Sequence, residues 1–450
     1  MRVTVAGMGR VGLTTALALE HLGHAVSAVD PDVLRVEGLR KGRLSFHEQG
    51  LASLWRYTRI ETSPELRPEH LNSDVLLVAV GTPGLPDGRA DLSAIESIGR
   101  RVGELANGSD GLVVAVKSTV PPGTTDRVQS LIDEGLRRSG SRAEVSAASN
   151  PEFMREGSAL SDTLYPDRIV IGAHSSRAKA KLLEMYAPII QQDFSAPEGT
   201  PRPAGYRSAP ALTTTPVNAE LIKYASNAFL ATKLSFVNEL AGLAESVGAD
   251  IETIVAGIGY DPRIGPHYLR AGPGWGGPCL GKDARALLSV AGERGVEMSV
   301  VSAAVGANAC QRRRLVERLA ASLGSLRGTT IGILGLAFKA NTDDLADSPA
   351  LDVASALVEA GASVRCYDPM AEERARREFP QLGVQYEDSV EEASRGCDAL
   401  VVMTDWDEFK HLPWGELGGR MRRRTVLDAR NMLDRMAVEE AGFTYLGVGR

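Results

Sequence analysis

Short apolar runs bounded by glycine and polar turns recur along this chain, with helical stretches between them. Arg2-Val-Thr-Val-Ala6 has strand length and runs into a glycine turn. Val11 to Leu22 follows as a helical stretch, and Ala25 to Val29 is a second strand that ends at Asp30. Val75 to Val80, Leu112 to Lys117 and a segment near Ala147–Ser149 are further strands, each closing on turn residues. From about Asp193 to Thr215 the chain is rich in Pro, Gly, Ser and Thr, which predicts an exposed loop or linker. Thr215-Pro216 then supplies a cap and a first-turn proline for a helix. That helix has no interior Pro or Gly except Gly242 as far as Val247. About 32 residues at ~1.5 Å each make a rod of roughly 48 Å. Strands resume at Thr330, Ser363, Ala399 and Thr425. Strands alternating with helices predict an α/β fold with parallel sheets on both sides of a long central helix.

The first turn is Gly7-Met-Gly9-Arg-Val-Gly12, with a strand before it, a helix after it and Asp30 lying 18 residues past Gly12. In such a turn Gly7 bends the chain, Gly9 admits a pyrophosphate and Gly12 lets helix pack on strand. The helix N-terminus offers amide N–H groups and positive charge to phosphates. An acid at the second strand end accepts ribose hydroxyls and repels a 2'-phosphate, so NAD is expected rather than NADP. The strand that begins at Thr330 enters Gly335-Leu-Ala-Phe-Lys339, which lacks a clean fingerprint. A nucleotide-bearing substrate is expected there instead, with Lys339 and Arg430 as contacts. The expected fold is therefore two doubly wound Rossmann-like domains, at 1–205 and 320–450, joined by a central helical segment at 215–310.

Composition narrows the partners. The 450 residues carry a net charge of -7, which argues against nucleic acid. Apolar runs are too short to cross a bilayer, and no histidine pair has metal-ligand spacing. The four cysteines are widely spaced and suit a reducing cytoplasm.

The candidate chemistry centres on Gly272-Pro-Gly-Trp-Gly-Gly-Pro-Cys279-Leu-Gly-Lys282-Asp283. Glycines let a ligand approach the backbone, a thiolate is a strong nucleophile beside a cation such as Lys282, and Asp283 can serve as a base. A tight turn around a buried structural cysteine is the alternative. Lys223 and Asn227 lie four apart on one face of the long helix. Tyr224, Phe229 and Ile222 around Lys223 predict a largely buried segment. Thr82, Thr119, Glu152 and Glu156 sit in turns that follow predicted strands, where ligands bind in such sheets.

As an ordered set these segments resemble the UDP-glucose/GDP-mannose dehydrogenase family, most closely its UDP-glucose 6-dehydrogenase branch. The resemblance rests on Gly81-Thr-Pro with Ala90-Asp-Leu-Ser93, Lys117-Ser-Thr-Val-Pro-Pro-Gly-Thr124 and Asn150-Pro-Glu-Phe-Met-Arg-Glu-Gly157. It continues in Asn218-Ala-Glu-Leu-Ile-Lys-Tyr-Ala-Ser-Asn227, the Cys279 loop and Leu336-Ala-Phe-Lys-Ala-Asn-Thr-Asp-Asp344, and covers nearly the whole chain. It implies a four-electron oxidation of a sugar C6 alcohol to a carboxylate, with two NAD reduced in turn and Cys279 carrying a thiohemiacetal and then a thioester. By the same resemblance Lys223 stabilises negative charge on oxygen with help from Asn227, while Asp283, Thr119 and Glu152 handle water and protons. The cofactor side adds Val11, Asp30, Arg35, Thr82, Thr119, Glu156 and Lys282. The substrate side adds the Glu152–Glu156 run (Phe153, Met154, Arg155), Arg263, Tyr268, Leu269, Lys339 and Arg430. It also takes in the loop from Arg270 to Gly276, with Gly272, Gly274 and Trp275. A homodimer built on the central helix is implied, with Arg263 and Arg430 reaching across it.

Three features depart from that family. Pro278 and Gly281 replace a serine before, and a proline after, the cysteine. Ala346 stands where an arginine to the cofactor pyrophosphate is expected, which predicts weaker NAD binding or compensation by another cation. The stretch from Asp193 to Thr215 is longer than usual. The same chemistry on dTDP-glucose, GDP-mannose or a UDP-N-acetylhexosamine is an open alternative. A β-hydroxyacid dehydrogenase would need neither Cys279 nor the last third of the chain. A non-catalytic NAD- or nucleotide-sugar-binding regulator is the remaining alternative.

Overall fold

A computed structural model describes residues 1–108 and 110–450. The chain forms two compact units, residues 1–226 with 285–294, and residues 227–284 with 295–450.

The first unit is built on eight strands: β1 (Arg2–Ala6), β2 (Ala25–Val29), β3 (Glu61–Ser63), β4 (Val75–Val78), β5 (Asp110–Val116), β6 (Glu144–Ser149), β7 (Ile169–Ala173) and β8 (Ala211–Thr214). Their order is β3-β2-β1-β4-β5-β6-β7-β8. Every neighbouring pair is parallel except β6 with β7. The central strands are apolar on both faces because helices cover both. Val75 and Leu77 of β4 pack with Leu13 and Leu17 of helix Arg10–His21. Leu76 and Val78 face the other way, toward Ile95, Val102, Val128 and Ile132 of helices Ser93–Leu105 and Thr124–Ser139. Each such side chain contributes roughly 1.5–3 kcal/mol by leaving water.

Two expectations fail, one in this unit and one along the long helix. The stretch from Asp193 to Thr215 is not all loop: Ala211–Thr214 adds to the sheet as β8, in register with Ile169–Gly172 of β7. Leu212 is half exposed there, so the strand is held by main-chain pairing at an edge rather than by an apolar face. The long helix runs Pro216–Val247 as predicted. Lys223 and Tyr224 are buried in it, but Ile222 is only half-buried and Phe229 is 65% exposed. The helix therefore shows a second, outward apolar face.

The second unit holds six parallel strands: β9 (Thr330–Leu334), β10 (Ser363–Tyr367), β11 (Gln385–Tyr386), β12 (Ala399–Val402), β13 (Thr425–Asp428) and β14 (Thr444–Gly447). Their order is β11-β10-β9-β12-β13-β14. One core joins Ile331, Leu400 and Leu427 of the sheet to Leu315 and Leu319 of helix Ser299–Leu323 and to Val237 and Ala241 of the long helix. Gly335 follows β9 in a left-handed turn whose amides at Leu336 and Ala337 are held by Asp368 Oδ2, at the end of β10. The fold is thus α/β with two Rossmann-like sheets. Among the described residues no helix is long and apolar enough to cross a membrane.

Candidate active site

In the first unit the turn after β1 has the shape a dinucleotide needs. A Cβ on Gly12 would lie 1.8 Å from the Gly7 carbonyl oxygen, so only glycine lets the helix close on the turn. A Cβ on Gly9 would meet nothing within 4 Å, so that face is open to a ligand. Val11 lies in the first turn of the helix. Asp30 is buried after β2 and accepts the Met8 amide at 2.7 Å and the Arg35 guanidinium at 2.9 and 2.8 Å. These residues fit an adenosine ribose and a diphosphate, with Arg35 balancing the buried carboxylate.

Thr82 donates to the Thr119 carbonyl at 2.9 Å and so joins the turns after β4 and β5. After β6, Glu152 Oε1 lies 2.9 Å from Lys223 Nζ, and both side chains are almost fully buried. The Glu152 carboxylate also accepts the Met154 amide at 2.6 Å. Burial alone would raise its pKa, but the charge and hydrogen bond of Lys223, the Met154 amide and Lys117 outweigh that and hold it below the usual range. Lys223 Nζ also stands 5.3 Å from the centroid of the Phe153 ring, whose face carries Arg168 at 3.7 Å. Arg155 turns outward to Asp162 at 2.7 Å. Glu156 pairs with Arg10 at 3.2 Å.

In the second unit Asn227 Nδ2 donates to Asp283 Oδ2 at 2.6 Å, and Lys282 Nζ lies 2.6 Å from Asp283 Oδ1. Cys279 is exposed immediately before helix Leu280–Glu293, and its carbonyl accepts the Asp283 amide at 2.9 Å. The positive end of a helix favours a thiolate at that position. The preceding loop is fixed by its backbone. Asn238 accepts the Gly272 amide, Gln311 donates to the Gly272 carbonyl, and Asn308 holds both polar groups of the Trp275 backbone. The Trp275 indole donates to Ser235. A Cβ on Gly274 would lie 2.5 Å from the Asn308 side-chain oxygen. A Cβ on Gly276 would lie 2.2 Å from the Asp347 carbonyl, and the Gly277 amide donates to the carbonyl of Ala346. At Ala346 the chain thus supplies a backbone contact to the cysteine loop.

The remaining candidates are spread around this unit. Arg263 is exposed and bound to Asp261 at 2.6 Å. Tyr268 adopts a left-handed backbone, Leu269 is buried, and Arg270 lies 3.7 Å from Asp405. Lys339 Nζ lies 5.6 Å from the Phe338 ring centroid. Arg430 donates to the Met403 and Phe338 carbonyls, and burial lowers its pKa.

The sequence reading gave no role to Arg10, Asn308, Gln311 and Arg312, used Lys117 only as part of a motif and placed Lys233 on the surface. Lys117 is buried and donates to the Tyr186 hydroxyl, which donates to Asn150. Lys233 ties down the carbonyls of Ile264 and His267. Arg312 bonds Trp275 and Asp347. Arg10 carried a local signal as one of the variable positions inside the glycine fingerprint, and Lys117 as the start of a strand-end motif. A cavity of about 780 Å³, lined by Arg2, Thr4, Glu20, His24 and Ser27, lies at the opposite, amino ends of β1 and β2. It is separate from the chemistry above, because ligands in such sheets bind at the carboxyl ends.

Residues 1–190 match the NAD binding domain of the UDP-glucose/GDP-mannose dehydrogenase family, 217–310 its central domain and 332–435 its UDP binding domain. The chain belongs to that family. The cofactor of the first unit is accordingly NAD. A UDP-glucose 6-dehydrogenase of Rhizobium meliloti is 40% identical, with both chains covered in full. Another, from Bacillus subtilis, is 38% identical over all of this chain and 98% of its own. A solved UDP-glucose dehydrogenase from Pyrobaculum islandicum is 38% identical with a TM-score of 0.87, over 100% of this chain and 97% of that one.

Proposed function

We propose that this enzyme oxidises the C6 alcohol of UDP-glucose to a carboxylate, with two NAD, one water and no free aldehyde. The observation that carries the proposal is an exposed Cys279 at a helix N-terminus beside the bonded set Asn227, Asp283 and Lys282. Full-length similarity to UDP-glucose 6-dehydrogenases supports this substrate. The division of labour is 1–205 for NAD, 215–310 for the cysteine loop and self-association, and 320–450 for the nucleotide sugar.

NAD, when bound, accepts a hydride in each of the two oxidations. Lys223, paired with Glu152, stabilises negative charge as it develops on the substrate oxygen. Asn227 assists it. The Cys279 thiolate adds to the aldehyde carbon, forming the C–S bond of a thiohemiacetal. Loss of a hydride from that carbon leaves a thioester. Water then breaks the C–S bond, releasing the carboxylate and regenerating the thiol. Asp283 and Thr119 take up and relay the protons. Glu152 is held ionised by its partners, so it serves as counter-ion and positioning group for Lys223 and water. On the substrate side Phe153, Arg263, the Tyr268–Gly276 segment, Lys339 and Arg430 bind nucleotide and diphosphate.

The enzyme acts as a cytoplasmic homodimer in this account. The outward face of the long helix supports the dimer: Phe229, Phe236, Leu243 and Val247 are each more than half exposed and recur at steps of seven, seven and four residues. The exposed Arg263 is assigned across that interface, whereas Arg430, expected to join it, is held by the Met403 and Phe338 carbonyls of its own unit. Light scattering on Phe236→Glu should show a monomer where the wild type is a dimer. The chemistry itself is tested with Cys279→Ser, which should form no UDP-glucuronate from UDP-glucose; sustained acid formation would refute the thioester route.

A further inference from the structure

The glycine turn poses an electrostatic problem. A dinucleotide brings two negative charges to Gly9, yet the neighbouring Arg10 is flanked by two carboxylates. Its Nε lies 3.2 Å from Glu156 Oε1, and its Nη1 lies 3.8 Å from Glu48 Oε2. Glu48 is itself buried, and it caps the loop and helix that follow Glu156 by accepting the Gly157 and Ala159 amides at 2.9 Å. Like charges placed this close to a diphosphate oppose binding unless a cation stands among them.

Arg10 is built for that task. It is the first residue of helix Arg10–His21, directly after the open face of Gly9. Its guanidinium lies 5.0 Å from the centroid of the Phe46 ring and donates to the His47 carbonyl at 3.1 Å. Ring, carbonyl and the two carboxylates hold the charge over the start of the dinucleotide helix. A guanidinium has five donors in a planar fork that suits phosphate oxygens. We infer that Arg10 is the cation that admits the cofactor diphosphate to this turn, with Glu156 and Glu48 holding it in place. The inference rests on the NAD-dependent reading above.

The alternative is that Arg10 only ties the 46–48 strap to the loop carrying Glu156. Arg10→Gln and Arg10→Lys separate the two, because both lose the fork and only the lysine keeps the charge. Binding of NAD and of ADP-ribose is measured by calorimetry without substrate. Arg10→Lys should bind both ligands about tenfold more tightly than Arg10→Gln. That gap should shrink between about 50 and about 300 mM salt, as a charge effect must. Equal affinities for the two variants, or a gap that salt does not change, would overturn the inference. Wild type that binds no NAD would overturn the proposed function together with it, whereas wild-type binding with no loss in either variant overturns this inference alone.

Discussion

Replacing Lys223 with methionine tests how the buried pair in the first unit works. The substitution keeps the length of the side chain and removes its charge. Glu152 Oε1 stands 2.9 Å from Lys223 Nζ with both side chains nearly sealed from water. At that distance and an effective dielectric of about 20, the attraction is about 6 kcal/mol. Desolvation offsets part of it, and stranding one partner of a buried pair costs about 3–5 kcal/mol. The cost depends on pH in a definite direction. In wild type the folded pKa of Glu152 is depressed. Its contribution is present above the unfolded pKa of about 4.3 and is lost only as the pH falls through the folded value. Without Lys223 the largest remaining influence is burial, which raises the pKa. The variant then carries a penalty that appears as the pH rises past the unfolded value. Urea midpoints should therefore separate wild type from Lys223→Met much more at about pH 8 than at about pH 5, by at least the ~1.4 kcal/mol that one pKa unit represents. A gap of the same size at both pH values would refute the argument that Lys223 keeps Glu152 ionised. The same variant should lose about 10²–10³-fold in kcat, the scale of removing one stabiliser of developing oxyanion charge.

Other outcomes follow from the glycines and the thiols. Gly9→Ala has open space and an ordinary backbone, so its melting temperature should match wild type while NAD affinity falls. Gly12→Ala puts a methyl against the Gly7 carbonyl and should destabilise the first unit by about 1–3 kcal/mol; equal stability for the two variants would refute the packing argument. Cys279 and Cys310 are exposed, whereas Cys366 and Cys397 are buried, with burial pushing the first up and the second to about 12. A disulfide reagent should titrate two thiols in the native protein and four after denaturation, and a third fast thiol would contradict the burial.

What could be read from the chain divides along physical lines. β1, β4 and β5 were legible because both faces of a central parallel strand are apolar, leaving a continuous run such as Val75-Leu-Leu-Val78. The long helix was legible from its Thr-Pro start and from a single interior glycine. The edge strands β3, β8, β11 and β14 were missed, since an edge is held by main-chain pairing and needs little apolar patterning. β7 was missed although Ile169-Val-Ile-Gly-Ala173 is a buried apolar run; it pairs antiparallel with β6, a direction that one-dimensional patterning does not carry. Phe229 was read as a sign of burial, but three-dimensional packing turned it outward. Within the candidate site, spacing along one helix identified Lys223 with Asn227. Partners distant in sequence, such as Glu156 with Arg10 or Asn308 with Trp275, depend on how the loops return and left no pattern in the chain.

The central claim is a double oxidation at one carbon through Cys279. Its most direct test is the amount of NADH formed when purified protein consumes a limiting quantity of UDP-glucose in excess NAD. Two NADH and one UDP-glucuronate are expected for each sugar. One NADH with an accumulating aldehyde would contradict it, and no NADH at all would exclude UDP-glucose as the substrate.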